Sequence, residues 1–203
     1  SNLDIDLARK KLLLESCNKQ NIDPTSLIKK LPLLSSTPML IIGDSIVDEY
    51  AACEALGMSA EAPVLVVKEL ETKTYAGGAA VVASHVNQLG GKCFFVSVTG
   101  NDNNSDFIEQ KLEEKSIETF LIKDESRPTT FKKRYMVENQ KLFRVSKLEE
   151  QTINKELEYK LIEIIKNLIP KVKGVIISDF NYGVITNNLL EIINELAKDH
   201  QIE

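Results

Sequence analysis

Two aspartates, Asp44 and Asp48, stand four positions apart just after the apolar run Met39-Leu40-Ile41-Ile42, and a glycine pair, Gly77-Gly78, follows further along. An ionised carboxylate only accepts hydrogen bonds, so two of them at one strand tip suit adjacent hydroxyls, as on a small polyhydroxylated ligand. In an open α/β sheet, ligands gather at the carboxyl ends of the strands, where Asp44 is expected. A plain turn cap accounts for Asp44 equally well, and the two readings stay open. Gly77-Gly78 precedes Ala79-Ala80-Val81-Val82-Ala83, an expected helix. Glycine lets a ligand approach the backbone, and a helix start offers unpaired N–H groups to its oxygens. Close packing of small residues between helix and sheet is the competing explanation.

Three further segments could take part. Arg127-Pro128-Thr129-Thr130-Phe131-Lys132-Lys133-Arg134 is basic and β-prone, and alternation places Lys132 and Arg134 on one face. That pair could clamp a phosphate or a sugar acid, or it could be the charged face of a solvated edge strand. Ser178-Asp179-Phe180 sets a further carboxylate, Asp179, at the end of the apolar strand Gly174-Val175-Ile176-Ile177. His85 lies inside the expected helix after the glycine pair, where a single histidine is more often a packing or surface residue than a ligand. The sequence holds no Walker A motif, metal-ligand cluster or catalytic triad.

Bulk properties narrow the class. The 203 residues suffice for one sizeable core, and 43% hydrophobic with 27% charged residues is an ordinary globular composition. A net charge of -5 argues against a broad nucleic-acid surface. Cys17, Cys53 and Cys93 are scattered and odd in number, which speaks against a disulfide framework and structural zinc and for a reducing, cytoplasmic setting. No apolar run approaches a membrane span and no signal peptide is visible. Ser1-Asn2 at the start resembles the residue of tag removal.

The elements that must position these groups alternate. Residues 1–38 read as a helical extension or linker, with Asp6 capping Leu7 to Leu14 and Asp23-Pro24 opening a second helix. Pro32 and Ser35-Ser36-Thr37-Pro38 are expected to break the pattern, with the main domain running from 39 to 203. Strands over Met39–Ile42, Lys92–Val98 and Val172–Ser178 alternate with helices over Asn104–Lys115, Thr152–Ile169 and Thr186–Asp199. That order implies an α/β fold, a mostly parallel sheet with helices on both faces. Two segments depart from it: a strand near 63–75 with no helix after it, and a hairpin within 129–145 turning near Glu138-Asn139-Gln140. They imply a small projecting sheet beside the strand ends, the shape of a lid.

Together these pieces resemble the ribokinase (PfkB-type) carbohydrate kinases, nearest to the heptose-7-phosphate kinase branch. The resemblance rests on Gly43-Asp44 with Asp48, Glu61-Ala62-Pro63-Val64, Ala76-Gly77-Gly78-Ala79-Ala80, Arg127-Pro128-Thr129-Thr130 with Lys132 and Arg134, then Gln140, Leu142, Arg144 and Ser178-Asp179-Phe180. It implies a ribokinase-like three-layer fold whose β-lid closes over a sugar or sugar phosphate. Asp44, Asp48, Gly77 and Gly78 would line the sugar pocket, Lys132 and Arg134 would face it from the lid, and Asp179 would stand at the same site. ATP and Mg²⁺ would serve the full-length protein. The resemblance also implies a homodimer through the lid and admits a nucleotidyltransferase domain upstream, joined through residues 3–38.

The sequence departs from that family in four places. Val81 stands where an Asn usually follows Gly-Gly-Ala-Ala, Gly57 and Ala60 replace an Arg and a Pro of the heptose branch, and Tyr182 stands where a lysine often follows the Asp-aromatic pair. The Gly-Ala-Gly-Asp segment that carries the family's catalytic base does not occur before Glu203. The expectation is therefore a truncated piece that supplies the sugar-binding half of a kinase, with its base beyond Glu203. The rival readings are a non-catalytic sugar-binding or dimerisation module and a nucleoside kinase of the same fold.

Overall fold

A computed structural model describes residues 2–35 and 37–202. In chain order the elements are α1 (Asn2–Lys19), α2 (Pro24–Leu34), β1 (Pro38–Gly43), β2 (Ser45–Met58), β3 (Leu65–Gly78), α3 (Ala79–Gln88), β4 (Lys92–Gly100), α4 (Asn103–Glu113), β5 (Glu118–Asp124), β6 (Thr130–Val137), β7 (Gln140–Lys147), α5 (Lys155–Leu168), β8 (Gly174–Ser178) and α6 (Asn187–Asp199). Four strands form a parallel sheet in the order β5-β4-β1-β8, and the other four form a mixed sheet in the order β3-β2-β6-β7.

Alternation along β1 and β4 divides the core in two. Leu40, Ile42, Phe94 and Val96 point to one side, where α5 and α6 cover them with Leu157, Leu161, Ile165, Leu189 and Ile193. Ile41 and Phe95 point to the other, under α3 and α4 with Ala79, Ala80, Ala83, Ile108 and Leu112. Strands buried on both faces need continuous apolar runs, which is why β1 and β4 read as they do. The helices start where short polar side chains take a free amide: Asp102 from Ser105, Asn154 from Leu157 and Thr186 from Leu189.

The second sheet departs most from expectation. β2 extends for 14 residues from Ser45, so Asp48 lies within a strand, and β5 is a core strand the sequence reading lacked. β2 pairs antiparallel with β3 and parallel with β6, setting Asp48 opposite Tyr75 on one side and Lys132 on the other. The hairpin β6–β7 turns at Glu138-Asn139, close to where the sequence placed it.

The amino-terminal helices differ from expectation in two details. Asp6 lies inside α1 instead of capping it. α2 continues past Pro32 to Leu34 and closes at Ser35, whose amide donates to the Pro32 carbonyl. Asp23 does cap α2, accepting from the amides of Thr25 and Ser26 at 3.0 Å. Of the expected connector, Ser36 lies outside the described residues, as do Ser1 and Glu203. No described helix is long and apolar enough to cross a membrane.

Candidate active site

The site forms where β1 and β8 run side by side. Gly43 is needed here by close approach: a β-carbon on it would stand 2.0 Å from the Ser178 carbonyl oxygen. The chain then turns, and Asp44 sends its carboxylate inward, 1% exposed. One oxygen accepts from the amides of Phe180 at 2.7 Å and Tyr182 at 3.3 Å, and the other accepts from Val184 at 3.3 Å. Burial pushes the Asp44 carboxyl above its ordinary range, with the three amides opposing that shift. Asp44 therefore holds the loop 179–184 from beneath, and its oxygens are already engaged.

Asp179 is spent locally in the same loop. Its carboxylate accepts from the Asn181 amide at 2.8 Å, closing a tight turn in which Asn181 takes φ 61°. A second brace comes from Arg127, whose side chain is 8% exposed. Its Nε donates to Asp124 at 2.8 Å, and its two terminal nitrogens donate to the carbonyls of Tyr182 at 3.1 Å and Gln151 at 3.0 Å. Asp102 steadies the adjoining chain by accepting from the Thr129 amide at 2.9 Å while it caps α4. Burial raises the Asp102 and Asp124 carboxyls, but the hydrogen bonds outweigh it and both titrate below the usual carboxylate range.

The glycine pair ends β3 directly above Asp44. Gly78 has φ 59°, and a β-carbon on it would stand 2.3 Å from the Asp44 carbonyl oxygen. That oxygen accepts from the Ala79 amide at 2.9 Å. The first amide of α3 is thus paired within the protein, contrary to the open helix start expected from the sequence. Gly77 faces Asp48 instead, with its would-be β-carbon 2.2 Å from Asp48 Oδ2.

Asp48 lies on the same lid face as Tyr50, Lys132 and Arg134. Arg134 Nη1 is 2.5 Å from Asp48 Oδ1, and the guanidinium carbon stands 5.1 Å from the Tyr50 ring centre. Lys132 is 8% exposed, and its ammonium sits 4.7 Å from the ring centre of Tyr182. Lys133, on the opposite face, is taken by Glu49 and Glu69, both at 3.0 Å. No such carboxylate partner is found for Lys132 among the described residues.

The structure brings Asp44 and Gly78 into contact, joins Gly77, Asp48 and Arg134, and reaches the Asp44–Asp179 loop through the Lys132–Tyr182 contact. Sequence reasoning named Arg127 only as part of a basic, β-prone segment and gave no role to Asp124, Asp102, Tyr50 or Tyr75. The spacing Asp102 to Ser105 was a readable cap signal; nothing local marked Arg127 as a brace.

The profile described as pfkB family carbohydrate kinase matches residues 37–202. The chain is 32% identical over 155 residues to the Bifunctional protein HldE of Nitratiruptor sp., covering 76% of this chain and 33% of that protein. It is 37% identical over 160 residues to the Bifunctional protein HldE of Campylobacter jejuni subsp. doylei, covering 79% and 33%. A putative phosphofructokinase from Staphylococcus aureus superposes with TM-score 0.64 at 14% identity over 82% of this chain and 51% of that one. Ribokinase from Arabidopsis thaliana, solved with ribose and ATP, superposes with TM-score 0.57 at 16% identity over 82% and 52%. The chain thus spans about a third of the length of these curated relatives and about half of the solved structures. Its parallel sheet with helices on both faces and a mixed β-lid is the ribokinase-like fold, and the chain belongs to the pfkB family of carbohydrate kinases.

Proposed function

We propose that the protein containing this chain transfers the γ-phosphoryl group of ATP to a hydroxyl of a sugar or sugar phosphate, and that this chain supplies the sugar-binding half and the lid. The observation that carries the reading is the lid face, where Asp48 lies against the bare backbone of Gly77 beside two cations. The bare glycine lets the carboxylate lie against the backbone, from where its oxygens can accept from the hydroxyls of a ring. Arg134 fixes that carboxylate. Lys132 serves a substrate anion, its ammonium resting over the Tyr182 ring. Asp44, Gly78 and Asp179 build the floor on which these groups stand, and Asp44 acts as its anchor.

Among the described residues no three of His, Cys, Asp and Glu are grouped to hold a metal ion. Asp44 and Asp48 are engaged by amides and by Arg134. Neither carboxylate is open to Mg²⁺ as the side chains stand, and on this reading ATP, Mg²⁺ and the base that deprotonates the acceptor would be held by sequence outside this chain. Three buried free thiols suit a reducing cytoplasm. Residues 3–38 would join this domain to whatever precedes it, and the lid would pair two copies.

The test is sugar-dependent ADP release by the full-length protein, with calorimetric titration of sugars and sugar phosphates. Asp48→Asn is expected to lower sugar affinity at least about tenfold; unchanged affinity removes Asp48 from the site. Val81 and Tyr182 favour a second reading, a sugar-binding module without turnover. Sugar binding with no ADP release under any sugar or divalent cation selects it.

A further inference from the structure

The lid face that carries Asp48 continues outward into an open cleft of about 450 Å³, lined by Tyr50, Tyr75 and Met136, with Ala52 among them. Small-molecule sites typically enclose ~300–1,000 Å³ between apolar walls with a few polar groups. The two tyrosines meet edge to face, ring centres 6.0 Å apart, and Tyr75 is 51% exposed. Glu71, Lys73 and Glu138 complete the lining, and Lys73 is 3.3 Å from Glu71. The cleft thus presents two carboxylates and one ammonium.

The cleft adjoins the Asp48 group on the same lid face. Tyr50 follows Asp48 by two positions on the same strand face and lines the cleft. Arg134 joins the two, bonded to Asp48 and standing over Tyr50. We propose that the cleft is a second sugar subsite and that the acceptor carries a further, neutral glycosyl ring beyond the one held at Asp48. Tyrosine rings offer flat apolar surface to the C–H face of a pyranose, and the carboxylates accept from its hydroxyls. A phosphate or carboxylate on that ring would meet two carboxylates, Glu71 and Glu138, against one ammonium, Lys73, that Glu71 already pairs at 3.3 Å, and the net like charge is penalised. The proposal rests on reading the Asp48 face as a sugar site.

The experiment titrates the full-length protein with glucose, mannose and galactose and with their α- and β-linked disaccharides. At least one disaccharide is expected to bind ten times more tightly than its monosaccharide. Tyr75→Ala and Ala52→Trp, the second filling the cleft, are expected to erase that advantage and leave monosaccharide affinity in place. Monosaccharide binding that depends on Asp48 with no disaccharide advantage overturns the subsite alone. A shift in oligomeric state for Tyr75→Ala in sedimentation, with the disaccharide advantage intact, overturns it in favour of an interface between copies. Binding of no sugar overturns both the subsite and the sugar-site reading beneath it.

Discussion

The Asp48 carboxylate lies so close to the Gly77 backbone that a β-carbon there would stand 2.2 Å from Oδ2. The neighbouring glycine is crowded differently: at Gly78 the atom in the way is the main-chain oxygen of Asp44, and φ is 59°. Gly77→Ala meets the Asp48 carboxylate first and the Ile46 carbonyl at 3.3 Å, and shifting that carboxylate against its Arg134 partner should cost about 1 kcal/mol of stability. Displacing Asp48 should nonetheless lower sugar affinity at least about tenfold, ~1.4 kcal/mol. Gly78→Ala meets backbone in a left-handed conformation and should cost ~1–3 kcal/mol of stability. Urea unfolding and calorimetric titration of both variants separate the effects. Wild-type sugar binding by Gly77→Ala would take Asp48 out of the site.

Arg127 should be among the costliest surface-proximal residues to remove. Its side chain bridges Asp124 and the carbonyls of Tyr182 and Gln151 at 8% exposure. Removing one partner of a buried pair leaves an uncompensated charge, typically ~3–5 kcal/mol. Arg127→Met should lose stability of that order in urea unfolding, while Arg127→Lys, which cannot span three acceptors, should fall between. A loss below about 1 kcal/mol would mean that loop 179–184 is held by Asp44 alone.

How far the sequence could be read follows from where each signal lies. Leu40-Ile41-Ile42 and Phe94-Phe95-Val96 announce strands because both faces are buried, and the 3.6-residue period of α5 is set by a single packed face. β2 escaped notice because its outer half, from Glu54 to Met58, is exposed and mixes polar with apolar residues, and its pairing with β3 is local to the lid. β5 is partly buried with no clean alternation. Asp44 was legible as a residue that matters, but its partners are amides more than a hundred residues away, and such partners leave no trace in spacing. The pairing of Arg134 with Asp48 depends on β2 lying parallel to β6, which only the tertiary topology supplies.

Acid should act on two carboxylates in opposite senses. Asp124 titrates low because Ser126 and Arg127 outweigh its burial, so its stabilisation is present above the unfolded value of about 3.9 and is lost as pH falls through the folded one. Asp44 titrates high through burial, so its contribution is fully present below about 3.9 and is lost as pH rises through its folded value. In urea unfolding from pH 7 down to pH 3, the gap between wild type and Asp124→Asn should shrink while that to Asp44→Asn should grow. Parallel pH profiles would show that neither burial nor the Arg127 pair governs these groups.

Cys93 should be chemically silent in the native protein. It is 2% exposed, and burial pushes its thiol up to about 11. Only the thiolate reacts, so at pH 8 a small fraction is competent even if reagent could enter. Mass-spectrometric mapping after iodoacetamide treatment should find Cys93 labelled only as fast as the protein unfolds. Rapid labelling in native buffer would show that the packing of β4 against α3 opens locally.

The two lid cations that share a face should separate by substrate charge. Arg134 is already neutralised by Asp48 at 2.5 Å, whereas Lys132 rests over Tyr182 without a carboxylate among the described residues. Arg134→Met frees the Asp48 carboxylate to rotate, so it should weaken a neutral sugar and its phosphate by a similar factor, ~5–10-fold. Lys132→Met removes the charge that a substrate phosphate would meet and should weaken only the phosphorylated ligand, by ~10-fold or more. A buried lysine replaced by Met keeps the packing volume, so a selective loss reports charge and not collapse. Calorimetric titration of both variants with a hexose and its phosphate decides it. Equal losses on both ligands for Lys132→Met would make Lys132 a strut for Tyr182 and leave the anion without a reader on this lid.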